Sequence, residues 1–305
     1  MSDCAILSPV YQPYRWLAPV LRDQLARHWP GHPPLVCAGL TEEEAAGLPS
    51  IPVRDAALPR DWCVFMRAAC ETLRQRGVTR CYLIPEEHPP LGPCHALHLN
   101  ETLPRLLDAL GASYISLLGW DNRRSVHYGR SLGKDRWHLR DLRAPLAPRF
   151  QLHPALWRLE ALIACLDATL ALPNHSPWSF EVTVRHPGAP LPRAMKDGCY
   201  RVSAAAMSVR EDSALQGAVR GWRHAGWRKL SALTSWLPPR ARQAAWAALK
   251  FDHFFDDGPY PLFFGGVMVK GGLNRYYCQH LARGGSGMNA PLLHAIHERH
   301  PDFFP

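Results

Sequence analysis

The chain has 305 residues, 47% of them apolar and 20% charged, a balance that excludes a disordered polypeptide and suffices for one large hydrophobic core or two smaller ones. Its 35 Lys and Arg outnumber 26 Asp and Glu, and the net charge of +9, nearly all from arginine, suits anionic partners: nucleotide phosphates, nucleic acid or an anionic membrane surface. No apolar run approaches the ~20 residues that a membrane-spanning helix needs.

The nine cysteines lie scattered at 4, 37, 63, 70, 81, 94, 165, 199 and 278, mostly inside apolar runs and with no CxxC pair. That is the pattern of buried free thiols in a reducing compartment, not of a disulfide framework or a zinc knuckle. The opening stretch MSDCAILSPVYQPYRW has no charged leader followed by an apolar core of signal-peptide length, so a cytoplasmic location is expected.

In chain order, CAILSPV (4–10) reads as a strand and YRWLAPVLRDQLARHW (14–29) as a helix in spite of Pro19. PLVCAG (34–39) reads as a second strand. Trp62, Phe65, Met66, Ala69, Cys70 and Leu73 then recur at helical spacing behind Asp61, an N-cap residue type, and Gly77 closes that helix. TRCYLIP (79–85) is a third strand, LPRLLDALGA a helix and YISLLG (114–119) another strand. RFQLHPALW (149–157) is extended, RLEALIACLDATLAL (158–172) helical, and 173–193, with five prolines, mostly loop. The alternation points to an α/β fold: a mostly parallel, Rossmann-like central sheet flanked by helices. Residues 1–195 are expected to form this core. Residues 196–305 form a C-terminal part packed on the same domain, with basic Trp-rich helices at 215–251 meeting at Pro238-Pro239 and a β-hairpin within 260–277 with KGG in its turn.

Ligands of such sheets bind at the carboxyl ends of the strands. That edge receives Ser8 to Tyr11 and the cluster Glu86, Glu87 and His88, which follows an apolar run ended by Pro85 and precedes Pro89-Pro90. Carboxylates on a rigid loop suit Mg²⁺ or Mn²⁺ beside substrate phosphates, and they equally suit a solvated turn. Glu181, after Trp178 and Phe180, reads either as a carboxylate in a partly apolar cleft, fit for general-base work, or as a surface glutamate. The arginines and tryptophans of 219–246 fit helices lying on an anionic membrane surface, an ordinary helical pair with snorkelling arginines, or a stacking surface for single-stranded nucleic acid. The last ranks lowest, since no recognition motif accompanies it, and no nucleic-acid partner is expected. His294, His297 and His300 lack the HExxH arrangement and read as a solvated terminal helix, and His253, Asp256 and Asp257 read more readily as a polar turn than as metal ligands. No P-loop, GxSxG or dinucleotide fingerprint is present.

Taken in order, YRWLAPVLRDQLARHWP, DWCVFMRAAC, CYLIPEEHPPL, LHPALW (152–157), WSFE (178–181) and FFGGVMVKGG resemble the motifs of a family of bacterial GT-A-type glycosyltransferases of polysaccharide assembly. The resemblance spans most of the chain apart from the Trp/Arg helices. It implies a GT-A fold, a nucleotide-sugar donor, and a glycan or lipid-linked hydroxyl acceptor. It implies a divalent cation, Mn²⁺ or Mg²⁺, held by Glu86, Glu87 and His88, and an inverting transfer in which Glu181 deprotonates the acceptor. Ser8, Pro9 and Tyr11 would edge the nucleotide, with Glu86 and His88 beside it and Arg67 reaching the donor phosphates. The enzyme would work in the cytoplasm, peripheral to the inner membrane through 219–246. Two positions depart from the family pattern: Glu-Glu-His stands for a more Asp-rich motif, and His153 stands where Gln is common. These departures bear on metal dependence and on turnover, and leave open a non-catalytic nucleotide-sugar or glycan-binding protein on the same scaffold.

Overall fold

Successive side chains of the first strand enter two different cores. The computed structural model describes residues 3–41, 43, 47–51, 60–90, 92–117, 130–131, 139–141, 150–185, 189–202, 266–269, 272–274 and 286–301. Strand β1 (Cys4–Pro9) leads through a short 3-10 turn to α1 (Leu17–His28), β2 (Leu35–Ala38), β3 (Ser50–Ile51), α2 (Trp62–Gln75) and β4 (Arg80–Leu83). A π-helical turn (His98–Thr102) opens into α3 (Leu103–Ala109), followed by β5 (Tyr114–Ser116), β6 (Arg130–Ser131), β7 (Leu139–Asp141) and β8 (Ala155–Arg158). Then come α4 (Leu159–Leu170), α5 (Pro177–Arg185), α6 (Arg193–Asp197), β9 (Cys199–Val202), a hairpin of β10 (Met268–Val269) and β11 (Gly272–Leu273), and α7 (Ser286–Arg299).

Among the described residues, nine strands form one sheet in the order β3-β2-β1-β4-β8-β5-β9-β7-β6. β8 is antiparallel to both β4 and β5, and β7 to both β9 and β6, so seven of the nine strands run one way. The sheet is thus mixed, with a parallel block β3-β2-β1-β4. The extended stretch before β8 re-enters the sheet against the direction of its neighbours.

Helices cover both faces, which is why the central strands are apolar on both sides. Ala5, Leu7, Cys81, Leu83 and Trp157 point to the core built with α2, α4 and α5. Cys4, Ile6, Tyr82, Ile84 and Leu156 point to the core built with α1 and α3. Local chemistry explains the helix limits. Pro19 sits in the first turn of α1, where backbone N–H groups have no intrahelical acceptor. Gly77, at φ 81°, ends α2 in the left-handed conformation, with Gly77 N–H donating to Arg74 and Val78 N–H to Leu73. Asp61 stands at the N-cap position of α2 but makes no side-chain capping bond.

Residues 177–185 are a correction to the expected loop. Ser176 Oγ accepts from Ser179 N–H at 3.2 Å and Pro177 occupies the first helical position, so Ser-Pro starts α5 where the proline count suggested irregular chain. Contacts group Met1–Ser208 with Pro261–Pro305 as one unit and Val209–Tyr260 as another, and β9 is a strand of the main sheet. The Trp/Arg segment 219–246 and residues 253–257 lie outside the described residues. In α7, Leu292 and Ile296 are fully buried, while His294 and His297 face solvent. Among the described residues no helix is long and apolar enough to cross a membrane.

Eight cysteines are buried as free thiols among the described residues. Burial pushes the thiols of Cys4, Cys37, Cys63 and Cys70 up to about 12.

Trp157 packs parallel to Phe150, with ring centroids 5.2 Å apart, and edge-on to Tyr114 at 4.7 Å, with no exposed surface. Trp157→Ala should cost about 3–5 kcal/mol, measured as a drop in the urea midpoint at unchanged slope.

Candidate functional site

β1 has β2 on one side and β4 on the other, and the chain leaves β1 through α1 on one face but reaches β4 through α2 on the opposite face. That reversal makes the carboxyl ends of β1 and β4 a topological switch point, where open α/β sheets place their ligands. Glu86 sits there. Ile84 N–H still donates to Leu7 C=O at 3.0 Å, Pro85 then ends the ladder, and His88 N–H donates to Pro85 C=O at 2.9 Å to close a tight turn over Glu86 and Glu87. Behind the turn, Gln24 Nε2 on α1 donates to Pro90 C=O at 3.3 Å and Cys94 N–H to His28 C=O at 2.7 Å, pinning the proline-rich loop to α1.

Glu86 is 3% exposed, and its Oε1 accepts the backbone N–H of Tyr11 at 3.0 Å. The carboxylate thus joins the ends of β1 and β4. Burial pushes its pKa well above the ordinary carboxylate range, the neighbouring Glu87 charge adds to this, and the Tyr11 N–H opposes it. Glu87 keeps 29% of its side chain exposed and is pushed up to about 7 by burial. Its Oε1 lies 3.6 Å from Nε2 of the buried His88. His88 in turn meets His153 edge-on, with ring centroids 5.4 Å apart.

Through His153 the turn reaches the second candidate. Leu152 N–H donates to Glu181 Oε1 at 3.1 Å, so the carboxylate on α5 is anchored one residue from the imidazole that meets His88. Glu181 is partly exposed, and Trp178, one turn before it, is 67% exposed. One carboxylate, Glu87, thus lies beside His88, and a second, Glu181, is bonded to the backbone next to His153.

The remaining expected residues divide. Tyr11 is at the surface, its ring edge-on to Tyr14 at 5.1 Å, while Ser8 and Pro9 are buried within β1. Arg67 belongs to another cluster: Nε donates to Asp167 on α4 at 2.7 Å and an Nη to Glu71 at 3.0 Å. Its ion pairs tie α2 to α4 instead of reaching the acidic turn. His153, noted in the sequence only as a departure from a motif, is the residue that links the two halves of the site. The C-terminal hairpin also arrives here. Val267 N–H donates to Glu87 C=O at 2.7 Å, a contact no periodicity in the sequence signals.

A divalent cation at Glu86, Glu87 and His88 can be judged by the donors. Glu86 is occupied by the Tyr11 N–H in a setting that favours its neutral form, and among the described residues no three His, Cys, Asp or Glu side chains converge as a metal site. The residues present do not fit a preassembled cation site.

No protein-family model, curated protein or solved structure matches the chain.

A carboxyl group whose folded pKa is raised stabilises the fold below its unfolded pKa, and that contribution is lost as pH rises through the folded value. For Glu87 the window runs from about 4.5 to about 7. Glu87→Gln removes this loss, so the variant should be more stable than the wild type at pH 8, by on the order of 2 kcal/mol, and little different at pH 5, read from thermal unfolding across pH.

Proposed function

We propose that the protein is a GT-A-type glycosyltransferase moving a sugar from a nucleotide diphosphate to the hydroxyl of a glycan or lipid-linked acceptor. The observation that supports this most is the linkage of the switch-point turn, through His88, His153 and Leu152, to the Glu181 carboxylate. A transfer site needs a donor side and a base near it, and this linkage is what supports reading the turn as the first and Glu181 as the second.

The transfer can be written with the chain's own groups. Glu181 takes the proton from the acceptor hydroxyl as its oxygen attacks the anomeric carbon. The bond from that carbon to the diphosphate oxygen breaks, and the diphosphate leaves with the electron pair. Attack opposite the leaving group inverts the anomeric centre. Tyr11, exposed beyond β1, offers an aromatic edge to the nucleoside, and Glu87, the partly exposed acid of the turn, is the group for the diphosphate, with the buried His88 behind it. In its neutral form Glu87 donates a hydrogen bond to a phosphate oxygen. The Leu152 N–H fixes the orientation of Glu181 before substrate arrives, which limits the ordering needed in the transition state.

A second reading has its own support. Glu86 acts as a strut between strands, and the Glu-Glu-His turn departs from the Asp-rich pattern, so a nucleotide-sugar-binding protein without turnover fits the same geometry.

A thermal-shift panel of UDP-, GDP-, CMP- and dTDP-sugars, with and without Mn²⁺, separates the two. The transferase reading expects stabilisation by one donor class and slow donor hydrolysis, with Glu181→Gln retaining binding but losing at least ~100-fold in turnover. Binding with no turnover in the wild type supports the second reading, and no binding by any donor removes both.

Docking to an anionic membrane surface through 219–246 completes the proposal, on the strength of the arginines and tryptophans there. Replacing Arg220, Arg223, Arg228, Arg240 and Arg242 by Ser should abolish co-sedimentation with vesicles containing anionic lipid. Unchanged co-sedimentation removes the membrane element alone.

A further inference from the structure

The acidic turn is not held by its own neighbours only. Pro85 and the turn bond fix its backbone, but they do not hold the Glu87 side chain, and its Oε1 is 3.6 Å from His88, beyond hydrogen-bond range. What confines it comes from the far end of the chain. Val267 N–H donates to Glu87 C=O at 2.7 Å. Gly266 lies so close that a Cβ there would stand 3.0 Å from Glu87 Cδ and 3.1 Å from Cγ. A methyl group at 266 would press on Glu87 closely enough that its side chain would have to give by a few tenths of an ångström.

The hairpin that brings these residues is braced in turn. Val267 is fully buried and Met268 nearly so. Asn274, just after β11, closes the base of the hairpin twice: its backbone N–H donates to Val267 C=O at 2.8 Å, and its Nδ2 donates to Gly266 C=O at 3.0 Å. One asparagine thus fixes both residues that touch Glu87.

We infer that the β10–β11 hairpin is the positioning element for Glu87, with Asn274 and Gly266 as positioning residues that set where its carboxyl group stands beside His88. The functional half of the inference rests on the reading of the turn as the donor side of a transfer site. The structural half rests only on the contacts given.

The test compares the wild-type full chain with Asn274→Ala and Gly266→Ala. Three quantities are measured: amide hydrogen exchange at Glu86, Glu87 and His88, the only residues of 85–90 that carry a backbone N–H, the Kd of the nucleotide sugar selected by the donor panel, and the melting temperature. Asn274→Ala is the decisive variant, since the methyl group at 266 also approaches Met268 C=O at 3.0 Å and can disturb the hairpin directly. The expected result is at least ~10-fold faster exchange across 85–90, unchanged exchange in β1 and β4, and a donor Kd raised ~10-fold while the melting temperature stays within a few degrees. Unchanged exchange across 85–90 in Asn274→Ala overturns the inference. Faster exchange there with an unchanged Kd overturns its functional half. If the wild type binds no donor, the proposed function fails, and the exchange measurement alone decides whether the hairpin positions the turn.

Discussion

One hydrogen bond organises this edge of the molecule: the Tyr11 N–H on the Glu86 carboxyl group. Parallel neighbours β1 and β4 must part at their carboxyl ends, because one chain turns away into α1 and the other into a proline-stiffened loop. Parting leaves a backbone N–H with no ladder partner, and a buried N–H without an acceptor is costly. Glu86 fills the place of the missing strand. The consequence is a carboxyl group in a dry setting where ionisation is disfavoured, with a second acid immediately beside it. A residue type associated with metal binding thus performs a structural task, and Glu87 becomes the acid that meets solvent.

Around that bond the fold collects segments that are remote in sequence. The β1 end supplies Tyr11, the β4 turn supplies Glu87 and His88, the approach to β8 supplies Leu152 and His153, α5 supplies Glu181, and the C-terminal hairpin supplies Gly266 and Val267. The antiparallel entry of β8 between β4 and β5 is what carries His153 to His88, since its preceding residues then lie at the end of the sheet where β4 finishes. Had β8 run parallel to its neighbours, residues 152 and 153 would stand at the opposite edge.

How far this was legible in the sequence follows from the range of each interaction. The β4 run ended by Pro85, the helix closed by Gly77 and the buried thiols are local patterns, and they read correctly. Helix α5 carried its own local signal, Ser176 before Pro177, but five prolines in the surrounding stretch pointed the other way. Arg67 shows the limit of a helical wheel: the wheel puts it on a polar face, yet its partner Asp167 lies on another helix that only tertiary packing brings near. The direction of β8, the His88–His153 contact and the closure of Gly266 on Glu87 are non-local in the same way. They depend on which strands become neighbours, and no periodicity within one segment encodes that.

The buried cysteines carry a consequence of another kind. A thiol with so high a pKa is almost wholly protonated at neutral pH, and the thiolate is the form that reacts with alkylating agents or disulfides. Each of the eight is also shielded by the packing of the sheet and its helices. While the fold holds, the sulfur atoms are chemically silent. When it opens, several become available together, so the pace at which a maleimide consumes them counts the openings of the sheet itself and turns the core into a built-in clock of its own integrity.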